Sequence, residues 1–145
     1  MATVKDIIAV KGSQVMTIGP EAVVLDAALL MNEHKIGSLV VMSGGQVIGI
    51  ISERDILTRV VVPCLDPSHT LVQDVMTTEV ACCQLHTRLE EARGVLKNRR
   101  IRHLPVVDEA QQLCGMISIG DLNAHEAHDY ELTIHVLREY MYGRV

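Results

Sequence analysis

The sequence contains no phenylalanine and no tryptophan, and its three tyrosines all lie within the last sixteen residues. An interior without large aromatic rings must be packed from Val, Ile, Leu, Met and Ala, so a flat ligand ring bound there would lie between aliphatic groups. No apolar run approaches the roughly 20 residues that span a bilayer. A secretion signal has an apolar segment behind a basic start, and the N-terminal residues show no such segment. We therefore expect a cytoplasmic protein with no membrane partner.

The net charge and the spacing of the cysteines argue against nucleic-acid binding, zinc binding and a disulfide framework. The formal net charge of −5 over 145 residues argues against a nucleic-acid partner. The four cysteines form no Cys-x-x-Cys pair, which argues against a zinc site or a disulfide framework, so we expect free thiols in a reducing compartment and no required metal. With 48% hydrophobic residues the chain can bury a core, as one domain or as two small lobes.

The chain contains an internal repeat. Residues Ile36–Val41 and Gly49–Asp55 reappear as Ile101–Val106 and Gly115–Asp121, at an offset of about 65 residues. A repeat of this kind fixes the architecture more firmly than any single motif does.

Hydrophobic periodicity predicts the order strand, helix, strand, strand, helix in each copy. Gly44-Gly45 predicts a tight hairpin turn, because both central positions of such a turn favour positive φ. The predicted fold class is α/β (α+β), with two pseudo-symmetric β-α-β-β-α repeats packed face to face and a C-terminal helix. The predicted strands are Gln14–Ile18, Leu39–Met42, Gln46–Ile51, Val80–Cys83, Leu104–Val107 and Leu113–Ile117. The predicted helices are Ala22–His34, Glu53–Val61, Arg88–Asn98 and one beginning at Asp121.

These elements divide the chain into repeat 1 (1–66), repeat 2 (67–125) and a C-terminal helix (126–145). In the last segment Tyr130, Ile134, Leu137 and Met141 form one helical stripe. The stripe either packs on its own module or joins a second subunit, and we expect a homodimer because tyrosine is enriched at interface anchors.

Ser52-x-x-Asp55 and Ser118-x-x-Asp121 each lie where a strand gives way to a helix. A serine followed three residues later by an acid is the pattern of a capping box, which is a purely structural interpretation. Against it, the pattern occurs twice at equivalent places, at the carboxyl ends of strands that border the junction, where ligands usually bind.

From Val4 to about His125 the chain resembles a tandem pair of cystathionine-β-synthase (CBS) domains, also called a Bateman module. The signature Gly-h-x-Ser/Thr-x-x-Asp, where h is apolar, closes both copies. The Ile-x-x-Leu-Pro-Val strand is complete in copy two, whereas copy one has Val40 where proline is usual. The chain is similar to a subgroup of stand-alone CBS-pair proteins.

The resemblance implies a regulatory sensor that binds an adenosine compound between the repeats, namely AMP, ADP, ATP or NAD(H), or S-adenosylmethionine. The sensor would modulate a protein partner that the sequence does not identify. Each aspartate would accept the ribose hydroxyls, and micromolar affinity is expected. Site 1 would comprise Ser52, Arg54, Asp55, Val80, Ala81, Cys82 and Ile101. Site 2 would comprise Thr17, Ile36, Gly37, Arg102, His103, Ser118 and Asp121.

The twin sites differ in charge. Gly37 stands at the position of Arg102, so the phosphate cation of site 2 is missing from site 1, and we expect site 2 to bind phosphates more tightly. Arg54 is a candidate replacement cation. Arg99 and Arg100 are interpreted as a solvated helix end, where cations suit the dipole.

A ligand-independent dimeric scaffold is the alternative function. No nucleophile–base arrangement or phosphate-loop fingerprint is apparent, so we do not expect an enzyme.

Overall fold

The structure, a computed structural model, describes residues 1–142, with side chains described up to residue 128 and at 131 and 134. The predicted α+β class is confirmed. The predicted order of elements is found in the first copy, whereas among the described residues of the second copy no strand precedes α5. No helix in this part of the chain is long and apolar enough to cross a membrane. The helices are α1 (Val4–Lys11), α2 (Val24–His34), α3 (Glu53–Ile56), α4 (Val72–Val75), α5 (Leu89–Arg99) and α6 (Ile119–Tyr142), with a π-helical turn Leu57–Val61 after α3. The strands are β1 (Thr17–Ile18), β2 (Ser38–Ser43), β3 (Gln46–Ser52), β4 (His103–Val107) and β5 (Leu113–Ser118).

The first copy forms a three-stranded sheet in the order β1-β2-β3. Strand β1 is parallel to β2, and β2 is antiparallel to β3. The predicted glycine turn joins β2 and β3, with φ of +59° at Gly44 and +78° at Gly45. Both values lie in the left-handed region that glycine adopts without a steric cost, so the hairpin prediction is confirmed.

The second copy has a smaller sheet than its sequence predicts. Strands β4 and β5 pair antiparallel, but the predicted strand Val80–Cys83 contributes only one bridge, from Cys83 to Val106. The Cys83 amide donates to the Pro105 carbonyl at 2.9 Å, and the Val107 amide donates to the Cys83 carbonyl at 2.8 Å. A proline in β4 removes one ladder donor, which is consistent with such a short pairing.

The two copies exchange their leader segments, residues 4–11 and 72–77, which begin with the similar stretches VKDII and VQDVM and precede the predicted first strand of each copy. Residues 4–11 form α1, an element that the repeat pattern does not predict, and Val4 and Ile7 are buried in the core of the second copy. Conversely, Val72 and Val75 of α4 are buried in the core of the first copy. The hydrophobic core of each copy therefore includes a helix that belongs to the other copy.

Backbone hydrogen bonds tie the exchanged leaders in place. The Val4 amide donates to the Thr87 carbonyl at 2.9 Å, and Ile50 and Thr77 exchange two bonds of 2.9 and 2.8 Å. The second pair adds Thr77 to the outer edge of β3, beside the signature motif of the first copy. The leader exchange thus brings second-copy residues to the end of a first-copy strand.

Helix α6 runs without a break from Ile119 to Tyr142, so the last predicted helix of copy two and the C-terminal helix are one element. Ile134 is 50% exposed. The other members of the predicted stripe, Tyr130, Leu137 and Met141, lie outside the described side chains.

Candidate functional site

A cleft of about 890 Å³ opens at the junction between the two copies. The first copy contributes the loop after α2, the end of β3, helix α3 and the π-helical turn. The second copy contributes residues around 77–81 and the loop that leads into β4. This volume is typical of small-molecule sites, which measure roughly 300–1,000 Å³.

Ten of the fourteen predicted site residues line this one cleft. The sequence assigns them to two sites, whereas the structure places them together. From site 1 they are Ser52, Arg54, Asp55, Val80, Ala81 and Ile101, and from site 2 they are Ile36, Gly37, Arg102 and His103. Cys82, Thr17, Ser118 and Asp121 do not line it.

Asp55 forms the acidic floor of the cleft, and it is only 7% exposed. Its Oδ2 accepts hydrogen bonds from the Ser52 amide at 3.0 Å and the Ser52 hydroxyl at 3.1 Å. Its Oδ1 accepts from the Thr77 hydroxyl at 3.0 Å, and the Arg59 guanidinium lies 3.9 Å from the same oxygen. The capping box is therefore formed, and Asp55 is held in one orientation by groups from both copies.

Asp121, the equivalent acid of the second copy, has a different partner. Lys11, at the end of α1, donates to Asp121 Oδ2 at 2.8 Å and to the Met116 carbonyl at 2.9 Å. The Ser118 amide donates to the same carboxyl oxygen at 2.8 Å. Partial burial would raise the pKa of Asp121, but the hydrogen bonds from Lys11 and Ser118 outweigh it and hold that pKa below its usual value.

The cleft is basic although the chain as a whole is acidic. Five Lys or Arg side chains face three carboxylates in its lining. Arg59 is used internally, because it also donates to the Val75 and Met76 carbonyls at 3.0 and 2.9 Å. Within the described residues, the other four cations form no ion pair: Lys35, Arg54, Arg100 and Arg102.

Comparison with known sequences decides the family. The sequence model of the CBS domain matches residues 3–62 and again residues 72–127. The chain belongs to the CBS-domain family. CBS domain-containing protein YhcV of Bacillus subtilis is 33% identical over 126 residues, which are 87% of this chain and 86% of that protein.

Solved structures agree on the fold of the CBS pair. The crystal structure of a CBS-domain protein from Agrobacterium tumefaciens matches with a TM-score of 0.81 and 34% identity, covering 86% of this chain and 99% of that one. A CBS-domain pair solved in complex with 5′-methylthioadenosine and S-adenosyl-L-methionine matches with a TM-score of 0.75. At 21% identity, over 85% of this chain and 98% of that one, it shows a shared fold.

His103 links the two acidic motifs of the CBS pair. It lines the cleft, and it pairs across the β4–β5 ladder with Ser118 of the second motif. Burial, reinforced by the nearby charges of Lys11 and Arg102, lowers the pKa of His103. The ring is therefore neutral at pH 7, where it offers one donor and one acceptor to a ligand.

Three cysteines of the CBS pair have thiol pKa values above the usual value. Burial raises the pKa of Cys83 to about 12 and also raises the pKa of Cys82 and of Cys114. Over the described part of the chain, no group of three His, Cys, Asp or Glu side chains is placed to hold a metal ion.

Several residues that line the cleft or contact one of the two motifs were not predicted as site residues. Lys35 and Arg100 have a detectable signal, because they stand 65 positions apart at the repeat offset. Arg100, interpreted from sequence as a solvated helix end, is exposed but lines the cleft. Thr77 and Lys11 have no such signal, since they reach the two motifs only through the leader exchange.

Replacing Lys11 with methionine is expected to raise the pKa of Asp121 and to lower the free energy of unfolding by at most about 1 kcal/mol, because a half-exposed pair contributes little. The folded-state pKa of Asp121 is depressed, so its ionisation stabilises the fold above about pH 4 and this contribution is lost as the pH falls through the folded-state value. NMR titration and urea unfolding at pH 7 and pH 3 measure both effects.

The exposed Lys5, on the same helix, provides the control for this experiment. Lys5→Met is expected to leave the pKa of Asp121 unchanged. An unchanged Asp121 pKa in Lys11→Met would show that the ion pair does not form in solution.

Proposed function

We propose that the protein is a regulatory module that binds an adenine nucleotide, AMP, ADP, ATP or NAD(H), in the cleft between its CBS repeats and thereby modulates a partner protein. The observation that carries the proposal is the composition of the cleft. A buried carboxylate, aliphatic walls and four cations that form no ion pair with any described residue converge there from both copies. The site is therefore centred on Ser52 and Asp55.

Each part of a nucleotide has a matching group. Ile36, Val80 and Ile101 offer an apolar slot for adenine, and covering a base in this way is worth about 3 kcal/mol from area burial alone. Asp55 is placed to accept from the ribose diol, because its Oδ1 accepts only one internal hydrogen bond and retains acceptor capacity. Arg54 and Arg102 suit the phosphates, since a planar guanidinium can bind phosphate oxygens in bidentate fashion.

A related complex supports the adenosyl part of the ligand. The CBS-domain pair of the same fold was solved with two adenosyl compounds, 5′-methylthioadenosine and S-adenosyl-L-methionine. Neither carries a phosphate, whereas the cleft described above is rich in cations. The proposal for this chain is accordingly a phosphate-bearing adenosine compound.

Regulation would follow from the position of the cleft. A ligand that contacts both repeats can shift the equilibrium between two arrangements of the module, by no more than its difference in affinity for them. We propose a homodimer as the functional form. In support, α2 and the π-helical turn carry exposed apolar side chains, with Leu29 at 56% and Val61 at 57% exposure.

A thermal-shift screen tests the proposal directly. AMP, ADP, ATP, NAD, NADH and S-adenosylmethionine are added at up to millimolar concentration, with GTP as the base control. A ligand at 100 times its Kd stabilises the folded state by about 2.7 kcal/mol, which corresponds to a rise in Tm of roughly 5–10 °C for a chain of this size. No rise in Tm with any adenosine compound would reject the proposal.

A dimeric scaffold that needs no ligand is the second candidate. Two observations favour it: Asp55 and Asp121 both serve in capping interactions, and apolar side chains are exposed on the first copy. Capture of a partner protein with equal efficiency in the presence and absence of nucleotide would support the scaffold over the sensor.

A further inference from the structure

Two basic residues occupy backbone positions that glycine usually fills. Lys35 ends α2 with φ of +55°, and Arg100 ends α5 with φ of +54°. A left-handed residue at a helix end is most often glycine or asparagine, because other side chains are disfavoured there. Lys35 and Arg100 occupy equivalent positions of the repeat, so a basic residue stands in an unfavourable left-handed conformation in both copies.

Both residues border the cleft between the repeats. Lys35 and Arg100 are exposed, they line the cleft together with Arg54 and Arg102, and none of the four is ion-paired within the described residues. Glu53 and Glu79, two carboxylates that also form no ion pair in the described part of the chain, lie in the same lining. The unpaired cations therefore outnumber the unpaired carboxylates.

We propose that Lys35 and Arg100 make the cleft selective for ligands with two or more linked phosphates, such as ADP and ATP, over AMP. This inference rests on the proposed nucleotide-binding function. Arg54 and Arg102 already supply as many guanidinium groups as one phosphate readily engages in bidentate fashion. A monophosphate held by Arg54 and Arg102 would leave Lys35 and Arg100 without an anion to bind, whereas the further phosphates of ADP or ATP would supply one.

Lys35 and Arg100 lie at equivalent positions on opposite sides of the junction between the copies. Lys35 belongs to the first copy and Arg100 to the second, and both belong to loops that lead from a helix into the first strand of the hairpin. A phosphate chain held by both would bridge the copies. A monophosphate bound near Arg54 and Arg102 would leave this bridge unmade, so phosphate number would also decide how strongly the ligand couples the repeats.

Calorimetric titration with adenosine, AMP, ADP and ATP at fixed ionic strength tests the inference. In the unmodified protein ATP is expected to bind at least about tenfold more tightly than AMP, because each added charged contact is worth close to that factor. In the double variant Lys35→Gln/Arg100→Gln the affinity for ATP is expected to fall about tenfold or more, while the affinity for AMP changes less than about threefold. Arg99→Gln is the matched control, because Arg99 is the exposed neighbour of Arg100 and does not line the cleft.

The outcomes separate this inference from the proposed function. Equal affinities for AMP and ATP in the unmodified protein would overturn the selectivity while leaving nucleotide binding intact. An equal loss of AMP and ATP affinity in the double variant, or a loss as large in Arg99→Gln, would also overturn it. Failure of every adenosine compound to bind would reject the proposed function itself. Because both replaced side chains are exposed and the new ones also have a Cβ, the variants keep the fold and its backbone strain.

Discussion

Replacing Asp55 with asparagine is expected to weaken adenine-nucleotide binding by about 30–100-fold, because the ribose hydroxyls lose a charged acceptor worth roughly 2–3 kcal/mol. Asparagine can keep most of the internal contacts: its Oδ1 can accept from the Ser52 amide, and its Nδ2 can donate to the Thr77 hydroxyl. The loss of affinity should therefore exceed the loss of stability. Calorimetry with the best ligand and urea unfolding of the same preparation measure the two.

Alanine at position 55 separates the two roles further. Asp55→Ala leaves the Ser52 amide and the Thr77 hydroxyl without their acceptor, so about 1–3 kcal/mol of stability should be lost in addition to the affinity. Asp26→Asn serves as the control, because Asp26 is exposed in the first turn of α2 and does not line the cleft, and its effect on binding should be below about threefold. Reduced stability of the Asp55 variants with undiminished binding would establish Asp55 as a capping residue only.

Gly49→Ala is expected to lower the free energy of unfolding by about 1–3 kcal/mol, the usual range for overpacking. A Cβ at Gly49 would lie 2.6 Å from Met76 Sδ and 2.9 Å from the Thr77 carbonyl oxygen. The methionine can turn away, but the carbonyl accepts from the Ile50 amide at 2.9 Å and cannot retreat without breaking that bond. Urea unfolding followed by circular dichroism gives the change.

Gly94 in α5 offers the matched control, since a Cβ there meets nothing within 4 Å. Gly94→Ala is expected to raise the free energy of unfolding by about 0.5–1 kcal/mol, because alanine is the better helix former. Equal stabilities for Gly49→Ala and the unmodified protein would mean that the leader containing Met76 does not pack on β3 in solution.

Local patterns in the sequence predicted most of the secondary structure. The hairpin at Gly44-Gly45 and helices α2 and α5 lie within two residues of their predicted bounds, because turn chemistry and helical periodicity are properties of adjacent residues. The first strand of copy two was predicted at Val80–Cys83 but only Cys83 pairs. Strand formation depends on a partner edge, which the periodicity of a single segment does not specify.

Ten of the residues that line the candidate site were predicted from the sequence, but their grouping in one cleft was not. The doubled motif and the repeat offset indicated Asp55 and Asp121 as equivalent. They gave no sign that Lys11 would pair with one of them, 110 residues away in the chain, or that Thr77 would contact the other. Those contacts arise because each leader crosses to the opposite copy, and the similarity of the two leaders shows only that they are equivalent, not where each one packs.

Because each core contains a helix of the other copy, we expect the two copies to fold together as one cooperative unit. A fragment cut within residues 63–70 would retain the strands of its own half but would lack the foreign segment that closes them, so neither piece is expected to be a stable protein alone. A small molecule bound between the two copies would then stabilise all of the described chain rather than one copy alone. A ligand that regulates this protein would thus change the stability of both copies together.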